Sequence, residues 1–311
     1  MGEYQPGSLF MDGAQVGRND WWRYLLSVVV FVVGYLGGGV LLFFAADAAH
    51  QMLASAYPEQ FSDKPLMALV DLRRGWRDAP IMSGLLMFAT FMGSVIIAIP
   101  VLAFAVKYIH RRAFKSLLGD RGFDGATFAI SFVAGATGFA VITGLELLLF
   151  WDDISFNKQW TDILLYLPIA ILVVPLQVLA EELFFRGYLL QAMSVATKRL
   201  AVRIIVPALA FALLHYDNAE VQNAAVPAMA YFVIFSLYIT WVTTRVSGIS
   251  AAVGFHLAMN MVALFIISSS LSAYISPTLF YVNEPVVWTL PLEIISVIAI
   301  YHILMKRWRI L

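Results

Sequence analysis

The chain has 311 residues, of which 61% are hydrophobic and only 13% are charged, and its mean hydropathy is +0.82. Soluble domains carry about 25% charged residues, so this composition indicates an integral membrane protein. Its 20 basic and 20 acidic residues balance, which argues against a nucleic-acid partner. The absence of cysteine excludes disulfides, thiolate metal sites and thiol nucleophiles.

The apolar stretches of the chain predict a bundle of membrane helices. Residues 1–20 are polar and glycine-rich, and they are predicted to precede a single membrane domain over 21–311. A helix needs about 20 apolar residues to cross a bilayer, and the sequence offers about eight such stretches. We therefore expect an all-α, polytopic membrane bundle with about eight transmembrane helices. The predicted spans are 22–46, 80–109, 126–150, one that begins near Trp160 and runs into a glutamate pair, a short one at 202–215, 224–244, 249–270 and 286–305.

Two features near the N-terminal half are expected to be structural. Gly34 and Gly38 form a small-xxx-small pair, which predicts a close contact between helices. Residues 47–78 mix acidic and basic side chains around two prolines, so they are predicted to form an extramembrane loop. No substrate role follows from the sequence of this loop.

The distribution of lysine and arginine predicts the orientation in the membrane. Short cytoplasmic loops accumulate these residues, and alternate connections of the predicted bundle are basic. We therefore predict that both termini are cytoplasmic. The basic connections hold Arg18, Arg23, the 107–115 cluster, Lys198, Arg199, Arg203, Arg245 and the 306–309 cluster, and the opposite ones hold Asp152, Asp153, Asp217, Glu220 and Glu284.

Two adjacent glutamates and an arginine interrupt the apolar sequence of the fourth span. Each such charge costs at least ~2.5–3.5 kcal/mol at membrane depth, so Glu181, Glu182 and Arg186 need partners or a function. Glu182 and Arg186 are four residues apart on one helix face and are predicted to pair. Glu181 points about 100° away, so its partner is expected to come from another helix.

Three more polar residues interrupt the following spans. An antiparallel hairpin around residues 197–200 would bring Glu181 level with His215, and His256 and Asn260 lie one helical turn apart. A single buried histidine is usually structural, but polar residues in three separate spans predict a functional site. Because the following polar loop would begin below the outer membrane surface, we also expect a hydrophilic chamber around Glu181 and His215. The other histidines, which are His50, His110 and His302, are expected to be structural.

Two hydrolytic chemistries fit these residue types. A buried carboxylate beside a histidine can activate water, while a second histidine and an asparagine amide stabilise an oxyanion. Alternatively, Glu181, His215 and His256 could hold a zinc ion with water as the fourth ligand. Both routes hydrolyse an amide, and the sequence leaves both open. Two other classes also stay open: a transporter that uses the buried glutamate and histidines, and a non-catalytic membrane scaffold or immunity protein.

Three short motifs carry a resemblance to a known family. EELFFRG at 181–187 matches EExxxR, FALLH at 211–215 matches FxxxH, and HLAMN at 256–260 matches HxxxN. In this order, and with about eight helices, the chain resembles the CPBP family of intramembrane proteases. That family includes the type II CAAX prenyl endopeptidases and bacterial Abi relatives linked to bacteriocin processing or self-immunity. The motif core covers 162–270.

The resemblance implies an intramembrane endopeptidase that acts on a membrane-associated, in some members prenylated CAAX-like, peptide or protein in contact with lipid. It implies that Glu181 is the general base, with His215 as its partner on the water. His256 and Asn260 would stabilise the oxyanion, and Glu182 and Arg186 would support the site. The family has been described both as zinc-dependent and as metal-free. No eukaryotic feature is present in the sequence, so we expect a multi-pass protein of the bacterial inner membrane.

Overall fold

Helices dominate the computed structural model of the chain, which describes residues 8–69, 80–269, 272, 276–283 and 285–311. Part of the predicted 47–78 loop, the predicted end of the seventh span at Ser270, and Glu284 lie outside these residues. The α-helices are α1 (Ser8–Asp12), α2 (Trp21–Ala56), α3 (Ile81–Ile96), α4 (Ala98–Phe104), α5 (Gly125–Leu149), α6 (Ile163–Glu182), α7 (Leu190–Ala196), α8 (Leu200–Leu214), α9 (Ala219–Asn223), α10 (Ala225–Val246), α11 (Ser250–Phe265) and α12 (Leu290–Arg307). Short 3-10 helices lie at Gly13–Val16, Leu66–Leu69, Phe114–Leu117, Trp151–Asp153, Trp160–Asp162 and Val287–Thr289, and π-helical turns at Ala105–Ile109 and Leu183–Leu189.

The predicted membrane bundle is confirmed. Within the described residues, six helical segments are long and apolar enough to cross a bilayer, and two apolar helices are shorter. The short ones are α8 with 15 residues and α11 with 16. At 1.5 Å per residue, each is about 24 Å or less in length, so it does not match the ~30 Å hydrocarbon core alone. The eight predicted spans thus correspond to six full-length segments and two shorter helices.

The first membrane helix is longer than predicted. It continues from Trp21 to Ala56, so the first ten residues of the predicted 47–78 loop are helical. Four alanines at 45, 46, 48 and 49 favour this continuation, because alanine has the highest helix propensity. The Oδ1 atom of Asp47 accepts a hydrogen bond from the backbone N–H of Leu66, which ties the end of the helix to the following segment.

The predicted glycine contact in α2 is confirmed. A Cβ atom on Gly34 would lie 2.9 Å from a methyl group of Val101, and one on Gly38 would lie 2.8 Å from a methyl group of Ile97. Real Cβ atoms do not approach other atoms this closely, so these two positions allow α2 to pack directly against the second membrane segment.

The N-terminal segment packs onto the membrane domain. Phe10 and Ala14 are 2% and 1% exposed. The Nε2 atom of Gln191 donates a hydrogen bond to the backbone oxygen of Phe10 at 2.9 Å, and the hydroxyl of Ser194 donates one to that of Met11. This segment therefore buries apolar side chains against α7, although most of its sequence is polar.

A small sheet covers one end of the bundle. Its strands are β1 (Ile154–Phe156), β2 (Ile267–Ser269) and β3 (Phe280–Val282), in the order β1-β3-β2. β3 pairs antiparallel with β1 and parallel with β2. The seventh span was predicted to reach residue 270, but the helix ends at Phe265. The backbone N–H groups of Leu279 and Phe280 donate to the carbonyls of Phe265 and Ile266, so a distant segment satisfies the helix terminus.

Helix α11 lies at the centre of the bundle and is buried along most of its length. A Cβ atom on Gly254 would lie 2.9 Å from the backbone nitrogen of Phe132 in α5, so these two helices touch through their backbones. The Ser250 hydroxyl accepts a hydrogen bond from the backbone N–H of Asp124, which aligns the starts of α11 and α5. The polar side chains of α11 are therefore held on a rigid element.

Candidate active site

The predicted pair of Glu182 and Arg186 is confirmed. The Nη1 atom of Arg186 lies 2.8 Å from Oε1 of Glu182, and both side chains are fully buried. Arg186 also donates from Nη2 to the Ser236 hydroxyl at 2.7 Å and from Nε to the Thr240 hydroxyl at 3.2 Å. Its guanidinium lies 4.5 Å from the centre of the Phe211 ring. Helix α10 thus satisfies a buried cation whose partners Ser236 and Thr240 were not predicted from the sequence.

The helix that carries the motif changes its geometry directly after the glutamates. Residues Leu183–Leu189 form a π-helix, which the sequence pattern did not predict. Such insertions are rare and occur frequently at functional sites. Within it, a Cβ atom on Gly187 would lie 2.8 Å from the backbone oxygen of Leu117. The glycine of the EELFFRG motif therefore permits a close backbone contact.

His256 connects the two glutamates. Its Nδ1 atom lies 2.8 Å from Oε1 of Glu182, and its Nε2 atom lies 3.6 Å from Oε2 of Glu181. A carboxylate that accepts from Nδ1 fixes the orientation of the imidazole ring, as outer carboxylates do for functional histidines. His256 is 2% exposed, so the ring is held in one orientation between α6 and α11.

The expected contact between Glu181 and His215 is replaced by the contact with His256. In the part of the chain that the structure describes, no hydrogen bond or ion pair joins His215 to Glu181. His215 follows the last residue of α8, and its Nδ1 atom bonds to the backbone oxygen of Phe211 at 2.9 Å. The Phe211 ring lies 4.5 Å from the His215 ring and 5.7 Å from the His256 ring. The two histidines therefore flank a phenylalanine.

Asn260 is anchored by a residue that the sequence analysis missed. Its Nδ2 atom donates a hydrogen bond to Oε1 of Gln177 at 3.2 Å, and both side chains are buried. Gln177 lies four residues before Glu181, on the same face of α6. Gln177 is a lone amide in an otherwise apolar helix, and this feature of the sequence could have identified it as the partner of a buried polar group.

A cavity of about 480 Å³ reaches the polar cluster. His215, His256 and Asn260 all line it, so a cavity is present at three of the predicted site residues. Its lining is mainly apolar, so it differs from the hydrophilic chamber predicted around Glu181 and His215. Glu181 does not line this cavity, and 18% of its side chain is exposed. The lining also includes Glu146 and Glu293, which the sequence analysis did not single out. Each stands as a single carboxylate in an otherwise apolar span, which was a usable signal.

The residues predicted as zinc ligands are not gathered into a metal site. Among the described residues, no three histidine or carboxylate side chains stand close enough together to hold a metal ion. One nitrogen of His256 is already occupied by Glu182. Glu181, His215 and His256 therefore do not fit a zinc ion in this conformation.

The other three histidines have local partners. His50 pairs with the Ser83 hydroxyl at 2.8 Å, and His302 pairs with the Tyr238 hydroxyl at 3.1 Å. The Nε2 atom of His110 lies near the hydroxyls of Ser27 and Tyr188. These contacts agree with the structural roles predicted for them.

Comparisons with known proteins extend the motif evidence. The chain is similar to the uncharacterized protein YyaK of Bacillus subtilis (strain 168), with 28% identity over 272 residues that cover 86% of this chain and 85% of the relative. No solved structure matches the chain. Residues 162–262 match the family model described as type II CAAX prenyl endopeptidase Rce1-like. The family resemblance predicted from the three motifs is thereby confirmed for the segment that carries the glutamate pair, both site histidines and Asn260.

Proposed function

We propose that the protein is an intramembrane endopeptidase that hydrolyses a peptide bond in a membrane-associated peptide or protein. The observation that carries the proposal is the 3.6 Å approach of Glu181 Oε2 to His256 Nε2 at membrane depth. Asn260 and His215 line the adjoining cavity, and the matching family model supports CAAX-type endopeptidase activity at the level of the family. A C-terminally prenylated CAAX-like peptide is one candidate substrate, and the bacterial inner membrane is the proposed location.

In the proposed mechanism, Glu181 is the general base. Its Oε2 atom is buried and has no hydrogen-bond partner among the described residues, and we propose that this oxygen accepts a hydrogen bond from the catalytic water. The carboxylate removes a proton from the water while the water oxygen attacks the scissile carbonyl carbon. His215 keeps its Nδ1 atom on the backbone of Phe211, which leaves Nε2 to orient the same water from the cavity side.

His256 and Asn260 are proposed to stabilise the tetrahedral oxyanion. The Nδ1 atom of His256 is held by Glu182, so Nε2 is the ring nitrogen that would face the oxyanion. A histidine donates hydrogen bonds through both ring nitrogens only when both carry a proton. The Asn260 amide has two N–H bonds and uses one on Gln177, so the second can also donate to the oxyanion.

Collapse of this intermediate completes the reaction. Glu181 returns its proton to the amide nitrogen, the C–N bond breaks, and the products are a new carboxyl terminus and a free amine. Glu182 and Arg186 take no part in bond breaking. Glu182 Oε1 accepts hydrogen bonds from Arg186 and from His256, so the pair holds the His256 ring in place.

The test is cleavage of a fluorogenic peptide panel by the purified protein in lipid nanodiscs. The panel includes a prenylated CAAX peptide and unprenylated hydrophobic peptides. We expect cleavage by the wild type and by Glu59→Gln, which changes an exposed glutamate outside the site, and loss of cleavage in Glu181→Gln. Loss of a general base typically costs about 10²–10⁴-fold in rate.

The same experiment separates the alternatives. Full activity of Glu181→Gln refutes the proposed mechanism, and silence of the wild type on the whole panel favours the scaffold or immunity class. Proton currents that depend on a transported solute would favour a transporter. A parallel assay with a chelator tests the zinc alternative, because a metal-free glutamate mechanism predicts an unchanged rate.

A further inference from the structure

The two ends of the helical bundle differ in charge. One end holds the starts of α5 and α11 and the ends of α10 and α12. The hydrogen bond between Asp124 and Ser250 and the contact of Gly135 with Ala258 show that α5 and α11 run in the same direction. The 2.7 Å contact of the Ser131 and Tyr301 hydroxyls and the contact of Gly138 with Val297 show that α12 runs in the opposite direction. The connections and helix ends at this end carry the basic clusters at 107–121, 198–203, 245 and 306–309.

The opposite end carries the three-stranded sheet, and the basic residues of its described connections are Lys64 and Lys158. The connection between α2 and α3 also contains Arg73, Arg74 and Arg77, which lie outside the described residues and are mixed with acidic residues. Three exposed tryptophans, Trp151, Trp160 and Trp288, lie beside the sheet or at the adjoining helix ends. Tryptophans in membrane proteins collect at the level of the headgroups, so this end reaches the water interface.

The cavity lies in the half of the bundle next to the sheet. Each of four helices contributes lining residues from the half that is remote from the basic end, or from its middle: 139–149 of α5, 228–232 of α10, 256–263 of α11 and 290–297 of α12. Residues of all three strands complete the lining. His256, Asn260 and His215 therefore lie at the inner end of a chamber that extends toward the sheet.

We propose that this chamber opens on the extracytoplasmic face and that the enzyme takes its substrate from there. Basic connections mark the cytoplasmic side of a membrane protein, so the sheet end faces outward. The substrate class is then a peptide segment or tail exposed on the outer side of the membrane. This inference rests on the proposed function for its substrate, while the position of the opening is independent of activity.

The absence of native cysteine permits a direct test. Three single-cysteine variants report on the sheet face, the chamber and the basic end. Ser155→Cys lies on the exposed part of β1, Thr143→Cys lines the chamber, and Lys198→Cys lies in the exposed turn between α7 and α8. Each is expressed in bacterial cells, converted to spheroplasts and treated with a membrane-impermeant charged maleimide.

We expect Ser155→Cys and Thr143→Cys to react in intact spheroplasts at least about tenfold faster than Lys198→Cys, and permeabilisation to remove the protection of Lys198→Cys. Reaction of Lys198→Cys with protection of Ser155→Cys would overturn the orientation. The extracytoplasmic opening would be refuted in two cases in which Ser155→Cys reacts in intact spheroplasts. In the first, Thr143→Cys reacts only after permeabilisation, and in the second, Thr143→Cys does not react at all.

A cleavage assay on the labelled proteins distinguishes failure of this inference from failure of the proposed function. The maleimide adduct on Thr143→Cys is expected to block cleavage, whereas the adduct on Lys198→Cys is expected to leave the rate unchanged. If the labelling pattern is as expected but the unlabelled protein cleaves no peptide, the proposed protease function is refuted and the extracytoplasmic opening is supported. Proteolysis with the reversed labelling pattern supports the enzyme and refutes the extracytoplasmic route.

Discussion

The Oε1 atom of Glu182 accepts a hydrogen bond from Nδ1 of His256 at 2.8 Å, and the same oxygen lies 2.8 Å from Nη1 of Arg186. Glu182 is therefore the buried anion that holds both a cation and a site histidine. We predict that Glu182→Gln lowers the free energy of unfolding by about 3 kcal/mol, because removal of one partner leaves a buried charge uncompensated. Denaturant unfolding in detergent measures this loss.

The neighbouring glutamate supplies the matched control. Glu181→Gln makes the same chemical change one residue earlier, where Oε2 lies 3.6 Å from Nε2 of His256. We expect it to keep the stability within about 1 kcal/mol of the wild type while it removes cleavage. Equal losses of stability in the two variants would contradict this division of roles.

Position 186 is predicted to require arginine rather than lysine. Its Nη1, Nη2 and Nε atoms bond to groups on two helices, and Phe211 packs against the guanidinium plane. A lysine ammonium cannot reproduce this fork. We expect Arg186→Lys to destabilise the protein by about 2–3 kcal/mol, since hydrogen bonds to charged groups contribute about 1.5–3 kcal/mol each.

Arg245→Lys is the control for this prediction. Arg245 is exposed, and its guanidinium lies 5.4 Å from the Trp241 ring centre. Surface substitutions of this kind usually change stability by about 0.5 kcal/mol or less. Thermal unfolding of both variants in one detergent makes the comparison, and a stable Arg186→Lys protein would refute the requirement for arginine.

The sequence predicted contacts within one helix better than contacts between helices. Spacing alone identified the pair of Glu182 and Arg186, because residues four apart always share a helix face. It did not identify His256 as the neighbour of Glu181, because helical phase does not specify which side chain of another helix approaches. The same limit applies to Ser236 and Thr240, which look like ordinary polar residues of an apolar span.

The hydrophobic pattern of the sequence also could not predict where the chain departs from regular α-helix. The π-helix at Leu183–Leu189 keeps an apolar sequence that fits an α-helix equally well. The strand at Ile267–Ser269 continues the apolar run of α11, and only its pairing with β3 makes it extended. The burial of Phe10 depends on a groove next to α7 that no local signal describes. Each of these features is determined by tertiary contacts.

Gly187 is predicted to tolerate no side chain. A Cβ atom there would lie 2.8 Å from the backbone oxygen of Leu117, and Leu117 is fully buried. A backbone carbonyl cannot move aside as a flexible side chain can, so Gly187→Ala is expected to cost about 1–3 kcal/mol of stability. Gly144→Ala in α5 is the matched control, because nothing lies within 4 Å of its Cβ position.

The two glycine variants should therefore differ in thermal stability. Alanine in an open helical position is favoured over glycine by about 0.5–1 kcal/mol, so Gly144→Ala is expected to be neutral or stabilising. Thermal unfolding in the same detergent measures both. A neutral Gly187→Ala would mean that Leu117 can withdraw from the π-helix.

Asp124 caps the start of α5 from outside the membrane. Its Oδ1 atom accepts hydrogen bonds from the backbone N–H groups of Ala126 and Thr127, and Oδ2 accepts one from the Thr127 hydroxyl. The hydrogen bond from the Thr127 side chain, together with those from the backbone, lowers the pKa of Asp124 below its usual value of 3.8. Replacement of such a cap by alanine typically costs about 1 kcal/mol.

This cap should make stability depend on pH in a defined direction. Because the pKa is lower in the folded state than in the unfolded state, the stabilisation is fully present above the unfolded value and is lost as the pH falls through the folded value. We expect Asp124→Ala to be less stable than the wild type at pH 7 and the difference to shrink below about pH 4. Asp124→Asn keeps an acceptor oxygen without the charge, so its deficit at pH 7 should be smaller than that of Asp124→Ala. This deficit should also shrink as the pH falls, because only the wild type loses a charge there. A deficit of Asp124→Ala that stays constant down to the lowest pH measured would show that the carboxylate charge contributes nothing to the cap.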